Sequence, residues 1–126
     1  MFNPTAKAAE IKKFVIEAVR AAGPDACPPY VVGVGIGGSA DYAGLLAKKA
    51  LLKNIYRSSS LKKGPAKKLQ QELLKDLNRL NIGPMGLGGR VTCLAVNVLT
   101  HPTHIAGLPV AVTISCHALR SATAVL

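Results

Sequence analysis

Three cysteines and three histidines are the side chains of this sequence best suited to bind a metal or move a proton. Cys27 stands before a Pro-Pro pair that leads into an apolar run, and Cys116 directly follows another apolar run. Cysteines in loops at strand ends are placed like ligands, whereas Cys93, inside a continuous apolar stretch, is expected to be a buried filler. Thiolates at Cys27 and Cys116 suit an iron–sulfur cluster, which prefers sulfur ligands. Two cysteines are too few to hold a cubane cluster by themselves.

Zinc is the other metal that these side chains suggest, through His101, His104, Cys116 and His117. Their spacing is not that of a common zinc finger, and the adjacency of Cys116 and His117 makes joint ligation awkward. Taken alone, His104 is interpreted most simply as a loop histidine hydrogen bonded to backbone. A structural zinc therefore stays a minor alternative.

The segment Gly33–Gly38 matches the pattern G-x-G-x-x-G, which brings backbone close to a pyrophosphate in dinucleotide-binding proteins. It lies after a predicted strand and before a predicted helix, as that motif requires. The acidic residue expected about 20 positions further on is missing, and Lys53, Asn54 and Arg57 occupy that region. A glycine turn that serves some other close approach is the favoured interpretation, and a dinucleotide site stays open as an alternative.

The net charge of +10 is concentrated in residues 48–79, which hold ten basic side chains and only Glu72 and Asp76 as acidic ones. Such a run can form a nucleic-acid surface. Only Tyr56 is interleaved with it, however, and the chain has no tryptophan, so a stacking platform for bases is missing. The solvated faces of two helices explain the charge more simply, and nucleic-acid binding is kept as the rival hypothesis.

Length and composition point to a single domain over residues 1–126, since 49% of the residues are hydrophobic. The sequence has no uncharged apolar run of about 18 residues, as a membrane-spanning helix requires, and its start lacks the layout of a signal peptide. The odd number of cysteines favours free thiols or metal ligands over a disulfide framework, as in a cytoplasmic protein.

The spacing of apolar residues predicts both helices and strands, with glycine-rich turns after strands, and hence an α/β fold with helices packed on a small sheet. The first helix is expected to begin at Asn3 and Pro4 and to stop at Gly23. The other predicted elements, in chain order, are a strand at Tyr30–Ile36, a helix from Ala40 to about Leu52 capped by Ser39, an exposed loop over 57–64, a helix from Pro65 to about Leu80, a loop at Gly83–Gly89, strands at Val91–Val98 and Leu108–Ser115, and a helix beginning at Ala118.

Five blocks of sequence, spread in order over nearly the whole chain, carry a family resemblance. They are Ala26–Pro29 with Val32–Gly38, Leu46–Leu52, Asn81–Gly89, Thr100–Val110 and Ser115–Ala118. In these blocks the chain resembles the iron–sulfur-dependent (class I) fumarate hydratases, specifically the alpha subunit of the two-subunit members. The alpha subunits of L-tartrate dehydratases share the same motifs.

The resemblance implies an α/β domain that holds a [4Fe–4S] cluster through three cysteines, with one iron left open to the substrate. That iron acts as a Lewis acid in the reversible hydration of fumarate to L-malate, a reaction of the tricarboxylic acid cycle. Cys27 and Cys116 match two of the family's cluster ligands, and His104 matches a histidine near the substrate that assists proton transfer. Cys93 matches no ligand, in agreement with a buried filler.

By the same resemblance, the chain corresponds to the C-terminal half of a longer alpha subunit. The third cysteine ligand is expected outside this chain, and the substrate-binding arginines are expected in a beta subunit or beta domain. We therefore expect the chain alone to be inactive on a dicarboxylate substrate, and to self-associate through uncovered apolar surface. Fumarate and tartrate are not distinguished. The alternatives that stay open are a tartrate dehydratase alpha fragment and a non-catalytic basic α/β module that binds nucleic acid or a dinucleotide.

Overall fold

The computed structural model describes residues 1–53, 55 and 64–125. Within these residues the main elements are helices and strands, with short 3-10 turns between some of them. In chain order the main elements are α1 (Ala8–Ala22), β1 (Tyr30–Ile36), α2 (Ala40–Leu51), α3 (Pro65–Asn78), β2 (Cys93–Thr100) and β3 (Val110–Ser115). The predicted α/β class, with helices on a small sheet, is confirmed.

The three strands form one mixed sheet, in which β1 lies in the middle, parallel to β2 and antiparallel to β3. Helix α2 packs on one face of the sheet, and α1 and α3 pack on the other. Because successive strand residues point to opposite faces, alternate residues of β1 enter the core under α1 and α3. The fully buried members of that core include Val15, Val19, Tyr30, Val32, Val34, Leu73 and Leu77.

Two glycines of β1 allow α2 to lie unusually close to the sheet. A Cβ atom at Gly33 would collide with the backbone carbonyl of Ala47, and one at Gly35 would collide with the carbonyl of Ala43. Backbone atoms of a packed helix cannot move aside cheaply, so only glycine fits at these positions. Two of the three glycines of the G-x-G-x-x-G pattern are therefore explained by helix–sheet packing inside the chain.

The first helix begins later than the sequence predicted. The side chain of Asn3 accepts hydrogen bonds from the N–H and the hydroxyl of Thr5, at 3.2 and 3.0 Å, and so stabilises a turn rather than a helix start. Helix α1 begins at Ala8, where the carboxylate of Glu10 accepts a hydrogen bond from the N–H of Lys7 at 2.9 Å. The predicted stop at Gly23 is confirmed, since Gly23 is the C-cap residue.

The helix predicted from Ala118 is wrong over the described residues. Only a single 3-10 turn forms at His117–Leu119, and residues 120–125 have no regular structure. The strand predicted at Val91–Val98 is shifted by two residues, to Cys93–Thr100, and the one predicted from Leu108 begins at Val110. The loop predicted over 57–64 lies, except for Gly64, outside the described residues. No helix among those described has the length and apolar character needed to cross a membrane.

Candidate functional site

Cys27 and Cys116 lie at the same end of the sheet. Cys27 precedes the first residue of β1 by three positions, and Cys116 directly follows Ser115, which pairs with Val31 near the start of β1. Because β3 is antiparallel to β1, the end of β3 meets the beginning of β1. The topology therefore brings together two cysteines that are far apart in the sequence.

The backbone around Cys27 presents its thiol to solvent. Cys27 has a left-handed conformation (φ 55°), its N–H donates to the carbonyl of Pro24 at 3.0 Å, and its side chain is exposed. The glycine-rich loop Gly83–Gly89 supports this segment, since the N–H of Met85 donates to the carbonyl of Pro28 at 2.9 Å. A left-handed residue other than glycine is strained, and such strain is common at ligand-binding sites.

Cys116 is half-buried and starts the 3-10 turn that follows β3. Its sulfur accepts a hydrogen bond from the N–H of Ala118 at 3.4 Å. Sulfur is the ligand atom that iron–sulfur clusters prefer, and this hydrogen bond holds it in position at the strand end. Cys116 is therefore a plausible ligand by its chemistry as well as by its place at the strand end.

Cys93 has the opposite environment, and its predicted burial is confirmed. Its side chain is 2% exposed, and its thiol donates to the carbonyl of Ala95 at 3.1 Å. Burial raises the pKa of Cys93 from 9.0 to about 12, so it stays a neutral thiol near pH 7. Such a thiol packs as a small hydrophobic side chain and is a poor metal ligand.

Tyr30 lies in the middle of the three cysteines. It pairs with Cys93 of β2, and the register of β3 places it beside Cys116. The ring is fully buried, and its hydroxyl has no hydrogen-bond partner within the described part of the chain. Burial raises the pKa of Tyr30, and the charges of Asp25 and Cys27 raise it further. The sequence analysis did not identify this residue, because a tyrosine at the start of a strand is ordinarily core.

The donor atoms at this end of the sheet fit an iron–sulfur cluster in part. Cys27 and Cys116 supply two sulfur ligands of the right chemistry. No group of three or more His, Cys, Asp or Glu side chains that could hold a metal occurs in the residues that the structure describes. A cluster held here therefore needs a further ligand from outside these residues.

His104 lies at the other end of the sheet. The loop that carries it follows β2, and the N–H of His101 donates to the carbonyl of Ile36, the last residue of β1. The seven residues of β1, at about 3.3 Å each, separate this end from Cys27 and Cys116 by roughly 20 Å. The structure thus unites the two cysteines and holds His104 apart from them. The same separation rules out one zinc site shared by His101, His104, Cys116 and His117.

Hydrogen bonds give His101 and His104 opposite tautomers in their neutral forms. Nδ1 of His104 accepts from the N–H of Ala106 at 3.1 Å, so the proton is on Nε2. Nδ1 of His101 lies 2.9 Å from the carbonyl of Pro102, which can only accept, so the proton is on Nδ1 and Nε2 is a free acceptor. The ring of His101 also packs edge-to-face against Tyr42, with centroids 4.9 Å apart.

The glycine turn after β1 is filled by the chain itself. A Cβ atom at Gly37 would collide with the carbonyl of His101, and one at Gly38 would come within 2.7 Å of the ring of Tyr42. At the start of α2, a hydrogen bond from the Ser39 hydroxyl lowers the pKa of Asp41 and keeps its carboxylate charged. A negative charge at this helix start repels a pyrophosphate, so the geometry disfavours the dinucleotide interpretation.

The basic segment 48–79 lies partly outside the described residues. Its two acidic residues take part in the contact between α1 and α3, where Nζ of Lys12 is 3.0 Å from Glu72 and 3.5 Å from Asp76. These carboxylates therefore serve helix packing. Nothing among the described contacts adds an aromatic platform for bases.

Comparison with known proteins places the whole chain in one family. The family model described as "Fumarate hydratase (Fumerase)" matches residues 1–125. An L(+)-tartrate dehydratase alpha-subunit homologue from Methanocaldococcus jannaschii is 47% identical over 122 residues, which are 97% of this chain and 42% of the relative. The L(+)-tartrate dehydratase subunit alpha of Escherichia coli K12 is 38% identical over 113 residues, 90% of this chain and 37% of the relative. The chain thus spans about two fifths of the length of these relatives.

Proposed function

The chain belongs to the fumarate hydratase family, and from this membership we propose that it is the cluster-binding part of a hydro-lyase. The observation that carries the proposal is that the register of β1 and β3 places Cys27 and Cys116 at the same end of the sheet, while Cys93 is buried as a neutral thiol. Of the three cysteines, the two with accessible sulfur are those that the topology brings together.

In this proposal Cys27 and Cys116 hold a [4Fe–4S] cluster, with a third ligand from polypeptide beyond the described residues. When bound, the cluster supplies an open iron that acts as a Lewis acid on a substrate oxygen. Cys27 is exposed on a left-handed backbone, and the N–H of Ala118 donates a hydrogen bond to the sulfur of Cys116.

His104 is proposed as the proton-handling residue of this chain. Since its Nδ1 accepts the N–H of Ala106, the Nε2–H of the exposed His104 can donate a hydrogen bond to the substrate. Its distance from the cysteines requires that the cluster and the substrate together bridge the length of β1. His104 therefore acts as a donor in this proposal, and a base must come from another group.

The proposed substrate is a four-carbon dicarboxylate, hydrated or dehydrated reversibly between fumarate and L-malate. L(+)-tartrate is the second candidate, favoured by the names of the relatives. Because those relatives are alpha subunits, we propose a beta subunit or beta domain as partner and expect this chain alone to be inactive. Accessible, reduced thiols suit a cytoplasmic location.

The test is an anaerobic assay of the chain reconstituted with iron, sulfide, the missing alpha polypeptide and a beta subunit. Dehydration of L-malate and of L(+)-tartrate is measured side by side for the wild type and for the Cys116→Ala and Cys93→Ala variants. We expect Cys116→Ala to abolish turnover and Cys93→Ala, the matched control, to retain it. Turnover by the isolated chain, or full activity of Cys116→Ala, would overturn the proposal.

A further inference from the structure

Strand β3 leaves one side of its backbone without partners. The N–H of Gly37 donates to the carbonyl of Pro109 at 2.9 Å, which fixes the alternation of the antiparallel ladder. Residues of β3 at odd positions therefore bond to β1, and Val110, Val112 and Ile114 direct their N–H and C=O groups outward. Within the described residues, none of these outward groups has a hydrogen-bond partner.

The opposite edge of the sheet is protected. The side chain of Gln70 accepts the N–H of Val98 at 2.9 Å, and Asn78 accepts the N–H groups of Thr92 and Cys93 at 2.8 Å each. Helix α3 thus supplies side-chain partners to β2. In the part of the chain that the structure describes, no side chain supplies hydrogen-bond partners to the outward backbone groups of β3. The β2 edge is therefore protected and the β3 edge is not.

The sequence of β3 carries none of the features that keep strand edges from pairing. Val110–Ser115 contains no charged residue and no proline, in a chain whose net charge is +10. Four of its six residues are Val, Thr or Ile, which favour strands, and all six are half-buried. Natural proteins protect exposed edge strands with lysine, proline or bulges, so an edge strand without these features is expected to pair with another strand.

A short piece of the covering strand is already present. The N–H of Phe2 donates to the carbonyl of Leu108, and the carbonyl of Phe2 accepts from the N–H of Leu108, both at 2.9 Å. This antiparallel bridge lies just before β3, on its outward side. Phe2 therefore sets the direction and the register that a strand along β3 would follow.

We propose that the outward edge of β3 binds an antiparallel β-strand from the part of the alpha subunit that this chain does not span. The relatives have more than half of their length outside the matched region, which supplies the polypeptide. The docked strand runs along Val110, Val112 and Ile114 and reaches the sheet end that holds Cys27 and Cys116. A symmetric pair of β3 strands from two copies is the competing occupant, and the size of the species in sedimentation distinguishes it from the one-to-one complex.

The test uses the unmatched part of the Methanocaldococcus jannaschii alpha subunit, produced as a separate polypeptide and mixed with this chain. Amide hydrogen exchange is followed by NMR, and the size of the complex is followed by sedimentation. We expect rapid exchange at Val112 and Ile114 in the chain alone, and exchange slowed by at least about 100-fold in a one-to-one complex. Slow exchange of these amides in the isolated chain, or unchanged exchange in the mixture, would overturn the proposal.

A proline scan separates strand docking from other contacts. Val112→Pro removes an N–H that β1 does not use, so the chain should stay folded and lose binding of the polypeptide. Thr113→Pro, the matched control, removes a ladder bond to Gly33 and should lower the melting temperature instead. Binding retained by Val112→Pro contradicts the proposal, as does a dimer of the chain that this variant dissociates. If Val112→Pro does not fold, the exchange rates of the wild type decide.

Discussion

Tyr30→Phe is expected to stabilise the isolated chain, although it removes a polar group from a fully buried residue. The hydroxyl of Tyr30 has no partner among the described residues. Leaving a buried hydroxyl unpaired costs about 1–3 kcal/mol, so its removal should raise the free energy of unfolding by about 1 kcal/mol, the lower end of that range. In a domain of 126 residues this corresponds to a melting temperature higher by about 4 °C.

The assay is urea and thermal unfolding, followed by circular dichroism, of the wild type, Tyr30→Phe and Tyr42→Phe. Tyr42 is the matched control, since its ring is only half-buried and its substitution should change stability by less than about 0.5 kcal/mol. A loss of about 1 kcal/mol or more in Tyr30→Phe would show that the hydroxyl has a partner within the chain. That result would refute the description of this end of the sheet as an incomplete site.

Three further predictions follow from single contacts. Gly35→Ala should prevent folding or lower the free energy of unfolding by more than about 3 kcal/mol, because its Cβ would collide with the carbonyl of Ala43. The control Gly44→Ala, whose Cβ would meet nothing within 4 Å, should stabilise α2 by roughly 0.5–1 kcal/mol. Equal melting temperatures of the two variants would contradict the close packing of α2 on β1. Asn78→Ala should lower the free energy of unfolding by about 3 kcal/mol, since it leaves the N–H groups of Thr92 and Cys93 unpaired. An effect under about 1 kcal/mol in urea titrations would contradict the role of Asn78 as their hydrogen-bond acceptor. The pKa of Cys93 is raised from 9.0 to about 12, so its contribution to the free energy of unfolding is complete below pH 9 and is lost as the pH rises toward 12, by about 1.4 kcal/mol per pH unit. Cys93→Ala should therefore show a smaller decline of stability at alkaline pH. Identical stability profiles of the wild type and the variant above pH 9 would contradict this prediction.

Local patterns in the sequence predicted most of the elements but not how they meet. The run of β-branched residues identified β1 to the residue, and apolar periodicity found all three helices. The start of α1 was missed because Phe2 pairs with Leu108, more than a hundred residues away, and holds Asn3 in a turn. No local signal records such a long-range bridge.

The arrangement of the candidate site depends on strand directions that the sequence does not contain. The antiparallel direction of β3 places Cys116 at the same end of the sheet as Cys27. His104 lies at the far end because it follows β2, which runs parallel to β1. The residue types were sufficient to separate Cys93 from the other two cysteines, because its apolar neighbours predicted burial. Tyr30 could not be singled out, since only the structure shows that its hydroxyl lacks a partner.

The most direct measurement of the central claim is the iron and sulfide content of the complex reconstituted from this chain, the remaining alpha polypeptide and a beta subunit. Cys27→Ala, Cys116→Ala and Cys93→Ala are compared with the wild type under anaerobic conditions. If Cys27 and Cys116 hold the cluster, each of their variants loses most of its iron and sulfide, while Cys93→Ala keeps the content of the wild type. Full iron in either of the first two variants, or loss of iron only in Cys93→Ala, would contradict the claim.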